Sequence, residues 1–204
     1  MQIIDINIDI SFAINALESG QVIAFPTETV FGIGADIFNP QACAEIYSVK
    51  SRDRGKPLSA HVSSLEMAVS LLDNPSELFY TLAEHFLPGP LAIIASKNSM
   101  VSDSITSGMK TISIRYPSDA TCLKLISAFG RPIAATSANI SGEKSLNTSE
   151  EVFRKFNGKF GVVVAGHSNY GLESTIISIV DKPKILRLGT VPKEEIEECI
   201  HIKL

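Results

Sequence analysis

Four cationic side chains stand within seven residues of a chain that is acidic as a whole. They are Lys50, Arg52, Arg54 and Lys56, interrupted by Asp53, whereas the formal net charge of the 204 residues is −4. Two interpretations are open. The run is typical of a solvated helix end, where lysine and arginine interact favourably with the helix dipole. It is also typical of a polyphosphate clamp, because arginine binds phosphate oxygens with a bidentate fork.

Two predicted strands each gather polar side chains on one face. The alternation places Thr111, Ser113 and Arg115 opposite two isoleucines, and it places Ser59 and His61 together in a second strand. Such a face either meets solvent, as in an ordinary edge strand, or meets a ligand. The alternation alone leaves both interpretations open.

Two buried strands are followed by polar turns. Residues 25–35 place a Thr-Glu-Thr triplet before a glycine-rich turn predicted at Gly32 and Gly34, and residues 134–142 contain a hydroxyl- and amide-rich turn. Serine and asparagine are common in turns for local reasons. Loops held at strand ends also carry much of protein chemistry, so a ligand site is the competing interpretation.

Hydrophobic periodicity and capping residues predict the elements that position these groups. Helices are predicted at residues 11–19 with Ser11 as N-cap, at 39–50 with Asn39 as N-cap, at 119–129 and from Pro192 onward. Further helices are predicted after a capping box of Ser63 and Glu66, from Asn74 to about residue 88, and at 148–158, where Thr148 with Glu151 forms the cap. Strands are predicted at residues 21–25, 57–62, 91–95, 111–116, 133–135, 160–165, 174–180 and 184–188. Because the last three strands have no helix between them, we expect an α/β domain with a mixed sheet.

Composition and charge narrow the class of protein. Hydrophobic residues make up 45% of the chain and no linker-like segment divides it, so residues 1–204 are predicted to form one domain. The net charge of −4 argues against coating of nucleic acid by bulk electrostatics, but it leaves a local basic groove open. Three widely spaced cysteines and four histidines without ligand spacing predict no disulfide framework and no protein-built metal site. With apolar runs too short for a membrane span and no recognisable export signal, we expect a cytoplasmic protein.

Five motifs, taken in their order along the chain, resemble the YrdC/TsaC family of threonylcarbamoyl-AMP synthases. They are the segment 25–35, Lys50-x-Arg52, Ser137-x-Asn139, Glu173-Ser-Thr175 and Arg187-x-Gly189. The resemblance implies a twisted mixed β-sheet with flanking helices around a concave, positively lined ligand cleft. It also implies that L-threonine, bicarbonate and ATP are converted to threonylcarbamoyl-adenylate and pyrophosphate, for N6-threonylcarbamoyladenosine formation in tRNA.

The same resemblance implies Mg²⁺ bound to the ATP and a downstream tRNA threonylcarbamoyl transferase complex as partner. Carried over position by position, it implies an ATP site at Lys50, Arg52, Lys56, Thr111, Ser137, Asn139, Ser145 and Arg187. It implies a threonine site at Thr29, His61, Arg115, the backbone of Ala135 and Ser174. Attack by a carbamate oxygen on the α-phosphorus needs positioning and charge neutralisation rather than a side-chain nucleophile. We therefore expect no catalytic nucleophile, and we expect Lys50 and Arg52 to be the residues most essential for the reaction.

The chain departs from the family pattern at three turn positions. Asp53 stands where proline often follows Lys-x-Arg, Phe31 where tyrosine is frequent, and Leu188 where proline is usual. The last departure loosens the turn that places Arg187. Because the chain ends soon after that residue, we expect no additional carboxy-terminal domain, and the polar segment 97–110 is a candidate lid.

Two other functions are compatible with a YrdC-like domain. A basic cleft of this kind could hold RNA backbone, for example during ribosome maturation, without making an adenylate. A paralogue of the YciO type with another activity is the second alternative, although the intact Thr-Glu-Thr and Ser-Ala-Asn turns argue against it.

Overall fold

The β-structure forms one mixed sheet of ten strands that runs through the molecule. The computed structural model describes residues 1–204. The strands are β1 (Gln2–Ile4), β2 (Ile23–Phe25), β3 (Gly32–Asp36), β4 (Ser59–His61), β5 (Leu91–Ser96), β6 (Thr111–Arg115), β7 (Ile133–Ser137), β8 (Val162–Val164), β9 (Thr175–Ser178) and β10 (Lys184–Arg187). They lie in the order β1-β8-β2-β3-β7-β4-β6-β5-β9-β10. Four pairs are parallel, namely β1/β8, β2/β8, β4/β6 and β5/β9, and the other pairs are antiparallel, so the predicted mixed α/β fold is confirmed.

Helices cover both faces of this sheet. They are α1 (Ser11–Glu18), α2 (Pro40–Lys50), α3 (Leu65–Val69), α4 (Glu77–Phe86), α5 (Asp103–Thr106), α6 (Ala120–Phe129), α7 (Ser149–Phe156) and α8 (Lys193–Ile200). The larger core contains 39 buried residues, among them Ile46 of α2, Phe79 of α4 and Ile114 of β6. The smaller core contains 14, among them Phe25 of β2 and Leu125 of α6. Burial on both faces accounts for the continuous apolar runs of the central strands. No helix has the length and apolar character needed to cross a membrane.

Several helices begin one or two residues away from the predicted cap. Ile10, rather than Ser11, is the N-cap of α1 and makes no side-chain capping bond. Ser64, rather than Ser63, caps α3 and accepts a hydrogen bond from the N–H of Met67, because its backbone is extended as an N-cap requires. Helix α4 is capped by Ser76, since Asn74 has a positive φ of 44° and belongs to the preceding turn. The predicted capping box at Thr148 and Glu151 is confirmed for α7.

Residues 32–36 form strand β3, and the glycine-rich turn predicted there is wrong. Strand β3 pairs with β2 on one side and with β7 on the other, so it lies well inside the sheet. A Cβ atom at Gly34 would lie 2.6 Å from Cγ2 of Ile133, and one at Gly32 would lie 3.0 Å from the ring of Phe25. The glycines therefore serve close packing of side chains and strands. The polar turn itself is confined to the residues between β2 and β3.

Candidate active site

Eight of the thirteen predicted site residues line one cavity of about 170 Å³. They are Thr29, Arg52, His61, Arg115, Ala135, Ser137, Ser174 and Arg187. The other five do not line its wall, and they are Lys50, Lys56, Thr111, Asn139 and Ser145. The ends of several strands and the loops that follow them supply the wall, as is usual for ligand sites of α/β sheets.

The two polar strand faces of the sequence meet at the floor of this cavity. Strand β4 lies between β6 and β7, with Ser59 opposite Ser113 and His61 opposite Arg115. The Oγ atoms of the two serines are 3.0 Å apart, and Ser59 pairs with Ala135 on its other side. Because β6 is flanked by β4 and β5, its polar face is not that of a solvent-exposed edge strand. It belongs to an internal polar surface.

Arg115 is held from several sides at this floor. Its side chain is buried and forms an ion pair with Glu28 through Nη2 and Oε1. Its Nε donates to Oγ of Ser174 over 2.9 Å, and its Nη1 donates to the carbonyl oxygen of Tyr116 over 3.4 Å. A guanidinium has more N–H donors than these three bonds use, so donors remain for a ligand.

His61 lies beside Arg115 as a neutral imidazole. Burial, followed by the positive charge of Arg115, lowers the pKa of His61 to about 3. Its Nδ1 is buried without a hydrogen-bond partner, and its ring packs edge-on against Phe25 with 5.9 Å between ring centroids. A neutral histidine can accept or donate a hydrogen bond to a ligand without adding charge to the cavity.

Arg52 and Arg187 are held by backbone carbonyl oxygens. Nη2 of Arg52 donates to the carbonyl oxygen of Pro57 over 3.0 Å, and Nε of Arg187 donates to that of Ser174 over 3.0 Å. Burial lowers the pKa of both guanidinium groups. For Arg187 the charge of Glu173 opposes this effect, whereas the charges of Arg115 and Arg52 lower its pKa further. Arg187 is therefore repelled by both of the other arginines, an arrangement that a bound anion would stabilise.

Lys50 lies beneath the turn that follows β7. It is 1% exposed, and its Nζ donates to the carbonyl oxygen of Ser137 and to Oδ1 of Asn139, the latter over 2.7 Å. Burial, followed by the charge of Arg52, lowers the pKa of Lys50 to about 7, against an opposing effect of Glu173. Oγ of Ser137 also donates to Oδ1 of Asn139 over 2.9 Å. Lys50 and Asn139 thus fix the position of Ser137 at the cavity wall.

The turn between β2 and β3 presents Thr29 to the cavity. Oγ1 of Thr27 donates to the carbonyl oxygen of Val30 over 2.7 Å and lies 3.0 Å from Oγ1 of Thr29. The N–H of Gly171 donates to the carbonyl oxygen of Thr29 over 2.9 Å. Thr29 is therefore positioned both by its own turn and by the loop before β9.

Two carboxylates of the site were not predicted as site residues. Glu28 carries the ion pair with Arg115, and Glu173 is the carboxylate among the cavity-lining residues, with Oε1 accepting from Oγ of Ser145 over 2.7 Å. Both stand inside the quoted motifs, and an acidic residue next to an apolar strand is rarely buried without a partner. That rule could have marked Glu28. Its partner, 87 positions away, has no local signal.

The remaining predicted residues lie around the cavity. Lys56 is exposed, although its carbonyl oxygen accepts from Nε of Arg52 over 3.3 Å, and Thr111 shares the strand face of Arg115.

The candidate lid, residues 97–110, contains α5 and contacts the basic segment rather than the cavity. Oγ of Ser107 donates to the carbonyl oxygen of Arg54 over 2.6 Å. No group of three side chains with metal-ligating geometry occurs.

Comparisons with known proteins agree with this architecture. A family model for Sua5, YciO and YrdC proteins, described as telomere recombination, matches residues 15–189. The threonylcarbamoyl-AMP synthase of Pyrococcus abyssi is 39% identical over 193 residues, which cover 94% of this chain and 57% of that protein. The threonylcarbamoyl-AMP synthase of Bacillus subtilis is 39% identical over 187 residues, which cover 90% of this chain and 54% of that protein.

A solved structure extends the comparison to three dimensions. The crystal structure of P. abyssi Sua5 complexed with L-threonine has a TM-score of 0.94 and 37% identity to this chain, covering 98% of it and 61% of the Sua5 chain. The chain thus spans little more than half the length of the two curated relatives. With the family model matched over most of its length, the chain belongs to the Sua5/YciO/YrdC family.

Proposed function

We propose that the protein is a threonylcarbamoyl-AMP synthase, a nucleotidyltransferase that acts on L-threonine, bicarbonate and ATP. The observation that carries this proposal is the convergence of Arg52, Arg115 and Arg187 on a single cavity beside a neutral His61. Two anionic groups, the carboxylate of an amino acid and a triphosphate, would occupy such a site together. The activity named for the two curated relatives and the threonine bound to Sua5 support the same assignment.

We assign the Arg115 end of the cavity to threonine. The uncommitted N–H groups of Arg115 would bind the carboxylate, with Oγ of Ser174 beside it. Thr29, His61 and the backbone of Ala135 supply further hydrogen-bonding groups at the wall. The cavity, of about 170 Å³, has ample room for a small polar molecule such as an amino acid.

We assign the nucleotide to the side of the cavity that carries Arg52, Arg187 and Ser137. The guanidinium groups would neutralise charge on the phosphates and on the departing pyrophosphate. Lys50 and Asn139 would act by holding Ser137 in place. A nucleotide is larger than the enclosed volume and would extend outward, towards residues around the rim, which we assign as Lys56, Thr111 and Ser145.

The proposed reaction requires no nucleophilic side chain. The amino group of threonine condenses with bicarbonate to a carbamate, with loss of water. An oxygen of this carbamate attacks the α-phosphorus as the bond to the bridging oxygen breaks, and pyrophosphate leaves with the electron pair. Mg²⁺ would arrive bound to the ATP phosphates and offset their charge. The residues of the chain position the reactants and stabilise developing negative charge.

The product identifies the reaction directly. Purified protein is incubated with ATP, L-threonine and carbon-labelled bicarbonate, and the nucleotides are analysed by mass spectrometry. We expect labelled threonylcarbamoyl-AMP, whose threonylcarbamoyl group a downstream transferase complex would pass to tRNA with release of AMP. An RNA-binding module without this activity would give no labelled product and would bind RNA in a strongly salt-dependent way that Arg115→Ala leaves unchanged.

A further inference from the structure

The three arginines of the cavity differ in how their charge is balanced. Arg115 forms an ion pair with the carboxylate of Glu28, and both side chains are largely buried. Arg52 and Arg187 form no ion pair, because their hydrogen bonds go to the carbonyl oxygens of Lys56, Pro57 and Ser174. Glu173 also lines the cavity and its charge raises the pKa of Arg187, but it forms no ion pair with either arginine. One end of the cavity therefore holds an ion pair, and the other end holds two guanidinium groups near a single carboxylate.

Backbone hydrogen bonds hold Glu28 against the loop before β9. Its carbonyl oxygen accepts hydrogen bonds from the N–H groups of Asn169, over 3.2 Å, and Tyr170, over 2.9 Å. Its side chain does not line the cavity, and its Oε2 is buried without a hydrogen-bond partner. The ion pair with Arg115 holds the carboxylate itself in place. The carboxylate therefore contacts Arg115 without lining the cavity.

A second observation concerns Asp119, an acidic neighbour of Glu28. The pKa of Asp119, the N-cap of α6, is raised by burial and by the charge of Glu28, against the lowering effects of Cys122 N–H and His167. The charges of Glu28 and Asp119 are therefore close enough to interact. Inside a partly desolvated cavity such charges act more strongly than they do in water.

We propose that Glu28 is a specificity-determining and positioning residue: it makes the Arg115 end selective for a zwitterionic amino acid and excludes phosphate anions from it. An amino acid brings an ammonium group as well as a carboxylate, so its net interaction with the Glu28–Arg115 pair is not repulsive. A phosphate brings negative charge alone and is repelled by Glu28. Discrimination of this kind, built on repulsion of the wrong ligand, is a general route to specificity. The inference rests on the proposed function, and it adds that ATP phosphates are directed to Arg52 and Arg187.

The test uses Glu28→Gln, which keeps the shape and an oxygen that accepts from Arg115 but removes the charge. Binding of L-threonine and of inorganic phosphate is measured by calorimetry, each ligand alone and in the presence of the other. In the wild type, phosphate should leave threonine binding unchanged. In Glu28→Gln, phosphate should displace threonine, with an affinity at least about tenfold higher than in the wild type.

The matched control is Asp36→Asn. Asp36 forms another ion pair with a largely buried carboxylate, to Arg131 over 3.0 Å, and it does not line the cavity. This control should lower the melting temperature and leave both ligands binding as in the wild type. Equal loss of threonine and phosphate binding in Glu28→Gln would mean that Glu28 is merely structural, and would overturn the inference.

The wild type also tests the inference without any variant. If phosphate displaces threonine competitively from the wild-type protein, Glu28 does not exclude it and the inference is wrong, whether or not Glu28→Gln folds. Failure of the wild type to bind threonine would instead contradict the proposed function. Threonine binding with phosphate discrimination unchanged in a folded Glu28→Gln would overturn this inference alone.

Discussion

Nζ of Lys50, at the end of α2, lies 2.7 Å from Oδ1 of Asn139, in the turn after β7. The same amide oxygen accepts from Oγ of Ser137, and Nδ2 of Asn139 donates to the carbonyl oxygen of Glu143 over 2.7 Å. Two motifs separated by 87 residues or more thus form one hydrogen-bonded unit. Only Ser137 of this unit lines the cavity, so the lysine and the asparagine act through it.

Asn139→Ala should impair use of ATP more than use of threonine. It removes the acceptor shared by Lys50 and Ser137 and leaves a buried lysine with one partner fewer. We expect kcat/KM for ATP to fall by roughly ten- to a hundredfold, or about 1.4–2.8 kcal/mol. Asn98→Ala is the matched control, because it removes an amide hydrogen bond of 2.6 Å to Ser70 that is remote from the cavity. Equal kinetic effects of the two substitutions would contradict the assignment.

Lys50 should give the folded protein a distinct pH dependence of stability. Burial, then the charge of Arg52, lowers its pKa to about 7 when folded, against about 10.4 for an unfolded lysine. Between these values the unfolded chain binds more protons, so the free energy of unfolding rises with pH and falls as pH decreases towards 7. From pH 7 to 8.5 the wild type should gain on the order of 1 kcal/mol relative to Lys50→Met in denaturant titrations. Parallel pH profiles would show that Lys50 is charged normally.

Arg52→Ala and Arg115→Ala should separate the two substrates kinetically. The first removes a phosphate partner and should mainly raise KM for ATP, whereas the second removes the carboxylate partner and should mainly raise KM for threonine. Loss of a charge-assisted contact of this kind is expected to cost about 2–3 kcal/mol, roughly a hundredfold in kcat/KM. Arg54→Ala is the control in the same segment, since Arg54 is exposed and its guanidinium lies over the Tyr47 ring at 6.0 Å. Indistinguishable effects on the two KM values would refute the division of the cavity.

Gly34→Ala should destabilise the sheet next to the site. The added methyl group would lie 2.6 Å from Cγ2 of Ile133 and 2.8 Å from the carbonyl oxygen of Ala134. Overpacking of this kind costs about 1–3 kcal/mol in the free energy of unfolding. Gly55→Ala is the control, because the nearest atom to its Cβ is 3.4 Å away. A neutral Gly34→Ala would mean that β3 and β7 can separate without loss.

The sequence was informative wherever the signal is local. The N-cap at Asn39 is predictable because its side chain accepts from an N–H three residues on, and the alternation around Arg115 identifies its strand face. Gly32 and Gly34 misled for a physical reason. Glycine marks both turns and close strand approach, and which applies depends on Phe25, Ile133 and their packing in the sheet.

Partners distant along the chain explain what the sequence left open. The residues around Glu28 indicate only a polar turn. Its ion pair with Arg115 forms because the fold brings β6 and the β2–β3 turn together. Likewise, the sequence around Lys50 indicates only a basic run at the end of a helix. Its burial beneath Ser137 depends on where β7 ends, which no spacing in the segment around Lys50 specifies.

The central claim, that one cavity joins threonine, bicarbonate and ATP, is tested most directly by pyrophosphate release. The purified protein is assayed with all three substrates and with each omitted in turn, and pyrophosphate is followed by a coupled assay. If this claim is right, pyrophosphate release requires threonine and bicarbonate as well as ATP, and it falls by about a hundredfold in Arg115→Ala at fixed subsaturating threonine. Release that continues unchanged without threonine would contradict it.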